Sequence, residues 1–552
     1  MKKKNMFVIF IVILRRPKMK KILSLISIIF IILAFGSCSD SDDENGSAPP
    51  HTAESPASTD AFKDQLSSLP NVSGVAKFDM DSIRSRVSEE LKEKLYKGNI
   101  YKFYVTSKLN PDDPADTGTF YQKVIVGFSG YDKPNCLMTT GYYLNDISTI
   151  IPTEHEIAFL LNGNFVAVEH RYFGESQPIG MNRSDGNYDG TYWQYLSTSN
   201  AAYDVHQIVT QMKTLLKGKW VASGGSKGGL TANLYCYYYP EDVDLTVPYV
   251  APLCDGVNDP KFFDYIYNTA GEADLRYQNG TAAEYRALLL EAQLWFLERR
   301  DEIYKEDKEG NKTYKDELFK IFVDDAEKTE TYYREDLMTP DILYDMQTIN
   351  FPIGFWQYED EKKFLNLKEV MALAEDNTEY TTADGKTVTK KDWMFDNLKS
   401  DMTTDSKEMD MTPYVVQSLI ELGNYAADAN PLRKAIEEHR KSHPGCKARI
   451  TMPPEEDETA VIKYTFSDAE QALFKYDNTT RNALINWSQT TDEQVIMIYG
   501  ISDPWYYVRI PDVERDNIHI FVHPKNNHYA KISNFPEPQK TELMELLNQY
   551  LY

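Results

Sequence analysis

The chain has 552 residues, of which 42% are hydrophobic, and a formal net charge of −25. That length holds one large domain with a sizeable insertion, or two domains, and the apolar fraction builds a substantial core. Its 84 acidic residues outweigh 59 basic ones, which excludes nucleic acid as the expected partner, because phosphate binding draws on clustered lysine and arginine. The 38 tyrosines and 7 tryptophans exceed what solubility asks for and point to aromatic packing, with some rings free to line a pocket.

The N-terminus reads as an address. Met19-Lys20-Lys21 and the apolar run Ile22 to Phe35 have the regions of a secretory signal; Met1 to Lys18 repeat the pattern weakly, so Met19 is an alternative start. The run ends in Phe35-Gly36-Ser37-Cys38, which resembles a bacterial lipoprotein cleavage site, although phenylalanine stands where an aliphatic residue is usual. The resemblance implies a lipid on Cys38 and a membrane anchor; an ordinary signal peptide or a single anchor helix is the alternative. Residues 39–60 follow as an acidic, then Ser/Pro/Ala-rich tether, without EF-hand spacing. An acidic run just after the cysteine resembles a surface-export signal, so the expected location is the cell envelope, lipid-anchored to the outer membrane and either periplasmic or surface-exposed. Cys136, Cys236, Cys254 and Cys446 form no C-x-x-C pair, so no structural zinc is expected; one disulfide stays open.

Beyond the tether, Val87 to Tyr96 has amphipathic helical spacing, and Tyr101 to Thr106 and Lys123 to Phe128 read as strands. A helix over Glu154 to Leu161 precedes the buried strand Asn164 to Val168; Glu154-His155-Glu156 lacks the second histidine of a zinc helix. Ala201 to Leu216 is a further helix, and Thr246 to Pro252 a further strand. Alternating strands and helices from Lys123 to Pro252 call for a parallel, doubly wound sheet. Residues 255–476 change character, with polar-faced helices at Ala282 to Glu306, Thr412 to Ala427 and Pro431 to His439, which suits a helical cap. Strands resume at Gln494 to Tyr499 and Ile518 to Val522, and Gln539 to Leu551 closes the chain as a helix. The expected division is therefore a first sheet half over 61–254, the cap over 255–476 and a second half over 477–552.

The sheet strand at Trp220 runs into Gly224-Gly225-Ser226-Lys227-Gly228, which fits the G-x-S-x-G nucleophile elbow. The glycines let strand and helix approach, and the helix N-terminus behind the serine offers N–H groups to an oxyanion. A Gly-rich turn without chemistry fits the pentapeptide alone; a phosphate-binding loop does not, since it ends in Gly-Lys-Ser/Thr. Chain order decides. Asp503 lies just past one strand and His528 in the loop after the next, giving Ser, Asp, His, the order of α/β-hydrolases. His523, at the strand end itself, rivals His528, and Asp512 and Asp516 rival Asp503 from the polar connection. The oxyanion donors expected are the amide of Lys227 and one from Gly130 or Tyr131, in the loop after Lys123 to Phe128; a plain glycine turn looks the same there.

Gly224-Gly225-Ser226-Lys227-Gly228-Gly229, Val168 to Ser176 and Asp503-Pro504-Trp505 together resemble the secreted serine peptidases that act beside proline. The lysine after the serine and the Phe355-Trp356-Gln357-Tyr358 block are similar to the bacterial prolyl tri/tetrapeptidyl aminopeptidases; lysosomal prolyl carboxypeptidase is the more distant likeness. The resemblance implies Ser226 as nucleophile, Asp503 as orienting acid and His528 as base, with Trp505 lining a proline pocket that Trp356 and Tyr358 close from the cap. Core packing is the alternative for Trp505, and an aromatic cluster for the cap pair. Glu175 is a positional candidate for the substrate's amino group and alternatively holds Arg171. The implied function is release of short N-terminal peptides after proline through an acyl-enzyme, on short proline-containing peptides and without cofactor or metal. An esterase on the same fold and a non-catalytic binding lipoprotein are the other candidates.

Overall fold

The computed structural model describes residues 60–152, 156–178, 193–306, 312–314, 337, 339–382, 385–399, 411–425, 428–454 and 460–552. The signal segment, residues 39–59 of the tether, Cys38 and Glu154-His155 lie outside these residues.

A nine-stranded sheet forms the centre, in the order β1-β2-β3-β5-β4-β6-β7-β12-β13. Its strands are β1 (Val72–Lys77), β2 (Asn99–Lys108), β3 (Thr119–Phe128), β4 (Asn135–Thr139), β5 (Asn164–Val168), β6 (Trp220–Gly225), β7 (Leu245–Tyr249), β12 (Val495–Gly500) and β13 (Ile518–His523). β1, β2 and β3 form an antiparallel meander, and β3 pairs antiparallel with β5. From β5 to β13 every pairing is parallel. The insertion carries two small antiparallel hairpins, β8 (Tyr304–Glu306) with β9 (Lys312–Tyr314) and β10 (Glu379–Thr381) with β11 (Thr387–Thr389).

Helices of ten residues or more are α1 (Thr198–Leu215), α2 (Lys227–Tyr238), α3 (Ala282–Glu298), α4 (Pro340–Tyr358), α5 (Glu361–Met371), α6 (Lys390–Lys399), α7 (Asn430–Ser442), α8 (Thr479–Thr490) and α9 (Gln539–Leu551). The parallel strands read as unbroken apolar runs because both faces are covered. Val495, Met497 and Tyr499 of β12 pack with α1, α2 and α8, whereas Ile496 and Ile498 pack with α9 on the opposite face. β5 divides in the same way, Val166 and Val168 to one face, Phe165 and Ala167 to the other. This is the α/β-hydrolase architecture.

The insertion between β7 and β12 has its own core, in which α3 to α7 contribute Phe296, Trp356, Phe364, Leu367, Phe395 and Leu432. Trp505 and Val508, just past β12, join that same core, so the cap is packed onto the loop that carries the acid. The expected long helix from Ala282 stops at Glu298; a 3-10 turn and β8 follow. Among the described residues no helix is long and apolar enough to cross a membrane, and all four cysteines are free.

Candidate active site

β6 ends in a strained corner. Ser226 has φ +56° and ψ −124°, a conformation that non-glycine residues rarely adopt and that functional sites retain. Its amide donates to Tyr249 O at 2.9 Å, which ties the corner to β7. The flanking glycines are dictated by β4: a Cβ on Gly224 or Gly228 would stand 2.2 or 2.3 Å from Thr139 O. Thr139 Oγ1 in turn donates to Ser223 O and Gly228 O, so β4, β6 and the start of α2 form one tight unit. The Ser226 hydroxyl is partly exposed and makes no hydrogen bond among the described residues.

The structure brings Asp503 and His528 together. Asp503 is fully buried after β12, where Oδ1 accepts from Trp505 N and Oδ2 meets His528 Nδ1 at 2.8 Å. Burial pushes the Asp503 carboxyl above its ordinary range, and His528 opposes that. The two loops are bonded directly, Ser502 N to Asn526 O and Ile501 N to His523 O. The cap holds the histidine as well: His528 N donates to Gln357 O at 3.1 Å, and Asn527 Nδ2 donates to Glu359 O. His523 is differently employed. Its Nε2 meets Asn534 O at 2.8 Å and its Nδ1 accepts from Lys525 N, so both ring nitrogens are spent on loop structure. Asp512 pairs with Arg509.

Gly130 and Tyr131 are not at this site. β3 runs antiparallel to the strands beyond it, so its C-terminal end, paired with the start of β5, lies at the opposite end of the sheet from the elbow. There Gly130 N donates to Asn164 Oδ1, and Tyr131 O accepts from Lys217 N. The loop that reaches the elbow is Thr140-Gly141-Tyr142, after β4. Gly141 has φ +71°, and a Cβ on it would lie 3.0 Å from Gly228 N and from the carbonyl carbon of Lys227. Among the described residues neither the amide of Gly141 nor that of Lys227 is spent on an acceptor, so both are free to donate.

The other predicted residues divide. Tyr358 is 41% exposed and its ring stands edge-on to His528 at 5.7 Å. Trp356 does not face a pocket: it is fully buried against Phe364 and Gly271, the cluster alternative. Trp505 is 8% exposed, packed 4.8 Å from Phe262 and 5.7 Å from Tyr425, and its Nε1 has no hydrogen-bond partner among the described residues. Phe262 and Tyr425, which sequence reasoning did not single out, stack on each other at 4.2 Å. Glu175 is not placed for a substrate amine. Its carboxylate is engaged by Lys123 Nζ and the Tyr104 hydroxyl, on β3 and β2; Arg171 pairs with Asp204 instead.

Among the described residues the one group of metal-ligand type is Glu298, His439 and Cys446, in the cap. His439 Nε2 lies 3.4 Å from Glu298 Oε1, so these groups are engaged with one another.

A strained serine at a strand–helix corner, in one parallel sheet with a buried acid and a half-buried histidine that are bonded to each other on the loops after β12 and β13, defines a serine hydrolase of the α/β-hydrolase fold. Residues 79–426 match the PS-10 peptidase S37 family, and the chain belongs to it; it is a serine peptidase. The matched stretch includes the elbow and the Gly141 loop and ends before Asp503 and His528. The prolyl tri/tetrapeptidyl aminopeptidase of Streptomyces mobaraensis is 27% identical over 422 residues, 75% of this chain and 72% of its own length. The human lysosomal Pro-X carboxypeptidase is 30% identical over 102 residues, 18% of this chain and 20% of its own. Among solved structures, the proline iminopeptidase of Mycobacterium smegmatis is similar over 81% of this chain and 98% of its own, at 12% identity and a TM-score of 0.29.

Proposed function

We propose that the chain is an exopeptidase that releases short N-terminal peptides after proline, through an acyl-enzyme on Ser226. The observation that carries this is the Asp503–His528 bond of 2.8 Å, on loops fastened to each other, in a chain similar along three quarters of its length to a prolyl tri/tetrapeptidyl aminopeptidase. His528 Nε2 takes the Ser226 proton as Oγ bonds to the scissile carbonyl carbon. Negative charge moves to the carbonyl oxygen, met by the amides of Lys227 and Gly141. The same proton then passes to the departing amine, and water repeats the sequence to free the peptide. Asp503 holds Nδ1–H, which leaves Nε2 as the acceptor. Trp505, with Phe262 and Tyr425, supplies flat aromatic surface beside the acid, of the kind a pyrrolidine ring packs on.

A ladder of peptides with proline at the second, third or fourth position tests this. Cleavage confined to the bond after proline at the third or fourth position, and lost when the N-terminus is acetylated, supports it. Equal cleavage of the acetylated peptides rejects the exopeptidase.

We further propose that Cys38 carries a lipid that anchors the enzyme in the cell envelope, on the strength of Phe35-Gly36-Ser37-Cys38 and the acidic tether behind it. Cys38→Ala is expected to move the protein from the membrane to the soluble fraction; unchanged membrane retention would reject the lipid anchor.

A further inference from the structure

The cap brings three metal-ligating side chains of different types to one place. Glu298 is the last residue of α3, His439 lies in the last turn of α7, and Cys446 follows in the loop that leaves α7. One donor atom from each, a carboxylate oxygen, an imidazole nitrogen and the thiol sulfur, all lie within 4.8 Å of one another. His439 Nε2 stands 3.4 Å from Glu298 Oε1. Bonds of about 2.0–2.3 Å at a tetrahedral angle put neighbouring ligands roughly 3.5 Å apart, so this pair already has the spacing of two ligands on one ion.

The surrounding structure makes this convergence without spending the donor atoms. Cys446 N donates to His443 O at 2.9 Å, a turn that brings the thiol back beside α7. Arg440 Nη2 donates to Ala448 O at 2.5 Å and pins the far side of that turn to the helix. The His439 ring lies nearly flat on that of His443, with centres 4.1 Å apart and planes 14° apart. The Arg299 guanidinium next to Glu298 is committed elsewhere. Its Nε and Nη2 donate to Asp376 at 2.7 and 2.9 Å, and it comes only to 4.0 Å from the Glu298 carboxylate. The Glu298 and His439 side chains are 32% and 28% exposed, so an ion reaches them from solvent.

The donor set decides which ion. A carboxylate and a thiolate with a neutral imidazole carry two negative charges, which one divalent cation balances. Sulfur and nitrogen suit zinc, whereas magnesium and calcium take oxygen ligands. We propose that Glu298, His439 and Cys446 bind one zinc ion, with solvent in the fourth position, as a staple between α3 and the end of α7. Burial, and the Glu298 carboxylate beside it, hold the Cys446 thiol above its ordinary value, so without metal it keeps its proton. The ion itself removes that proton: as the Zn–S bond forms, the S–H bond breaks and the proton leaves to solvent. The sequence shows no Cys-x-x-Cys pair, and none is needed, since the ligands come from segments far apart in the chain.

The test uses the purified full chain, stripped with chelator and desalted, and zinc alone as the probe. Three readouts apply: zinc retained per chain, alkylation of Cys446 followed by peptide mass, and the thermal midpoint. Cys446 suits the second because it is half-buried, whereas Cys136, Cys236 and Cys254 are buried. The expected result is one zinc per chain, alkylation of Cys446 slowed by about tenfold or more, and a midpoint raised by a few degrees. Each effect is expected to vanish in Cys446→Ser and in His439→Gln. A folded wild type that retains no zinc overturns the proposal, as does zinc retained equally by Cys446→Ser. Should the variants fail to fold, cobalt(II) on the stripped wild type decides. A sulfur-to-cobalt charge-transfer band together with protection of Cys446 supports the site, and the absence of either rejects it.

Discussion

Ser226→Ala is expected to end fluorophosphonate labelling and to lower kcat on a prolyl peptide by about 10⁴-fold or more, with the fold intact. Alanine keeps the Cβ, and the Ser226 hydroxyl has no hydrogen bond to lose among the described residues, so thermal stability moves little. The corner at φ +56° stays, because β4, β6 and β7 hold it from three sides. His528→Ala is expected to cost a similar factor, and the double variant little more, since nucleophile and base act as one unit. His523→Ala separates the two histidines. Both of its ring nitrogens bond to the loop over Lys525 to Asn534, so its loss costs stability on the order of 1–2 kcal/mol and spares catalysis. The measurement is labelling and kcat beside thermal unfolding for all three variants. A folded His523→Ala as inactive as His528→Ala would reverse the assignment of the base.

The elbow, the acid and the histidine were legible because each sits at the end of a strong apolar strand, and chain order alone ranks them. The oxyanion loop was not, for a countable reason. β4 is five residues long, Asn135–Thr139, and its apolar stretch is only Cys136-Leu137-Met138, too short to stand out between Lys123–Phe128 and Asn164–Val168. With β4 unseen, the glycine after β3 took the donor role. The signal available was Gly141 following Thr139-Thr140, a glycine just past a short run. Trp356 was misplaced by a similar limit. In α4 the stretch Phe351 to Trp356 has no polar side chain, and Phe351, Phe355 and Trp356 are buried together, so no periodicity says which ring faces the cap core. The cap itself was legible as the loss of strand pattern after β7, but its small hairpins, of three-residue strands, left no such mark. Glu175 shows the remaining limit. A carboxylate near the right strand end says nothing about its direction, and Lys123 and Tyr104 claim it from strands far off in sequence.

Asp503→Asn is expected to lower kcat by about 10⁴-fold while leaving the protein as stable as wild type, or more so, at neutral pH. The two halves of that result have separate causes. Asp503 Oδ2 fixes the proton of His528 on Nδ1, which leaves Nε2 free to accept from Ser226. An asparagine amide turned toward Nδ1 donates instead of accepting, the ring proton moves to Nε2, and the base is lost although no atom has left the site. Stability follows the opposite sign. Burial holds the Asp503 carboxyl above its ordinary value, so the folded state binds that proton more tightly than the unfolded chain. An acid raised in this way favours folding least once pH exceeds its folded value, and carries no penalty below its unfolded one. Replacing it by a neutral amide removes a penalty that grows as pH rises through that window. The difference in thermal midpoint, variant minus wild type, should therefore increase from acid toward neutral pH. A variant that loses activity together with stability at neutral pH would show Asp503 to be a structural anchor of the Trp505 loop rather than the group that orients the base.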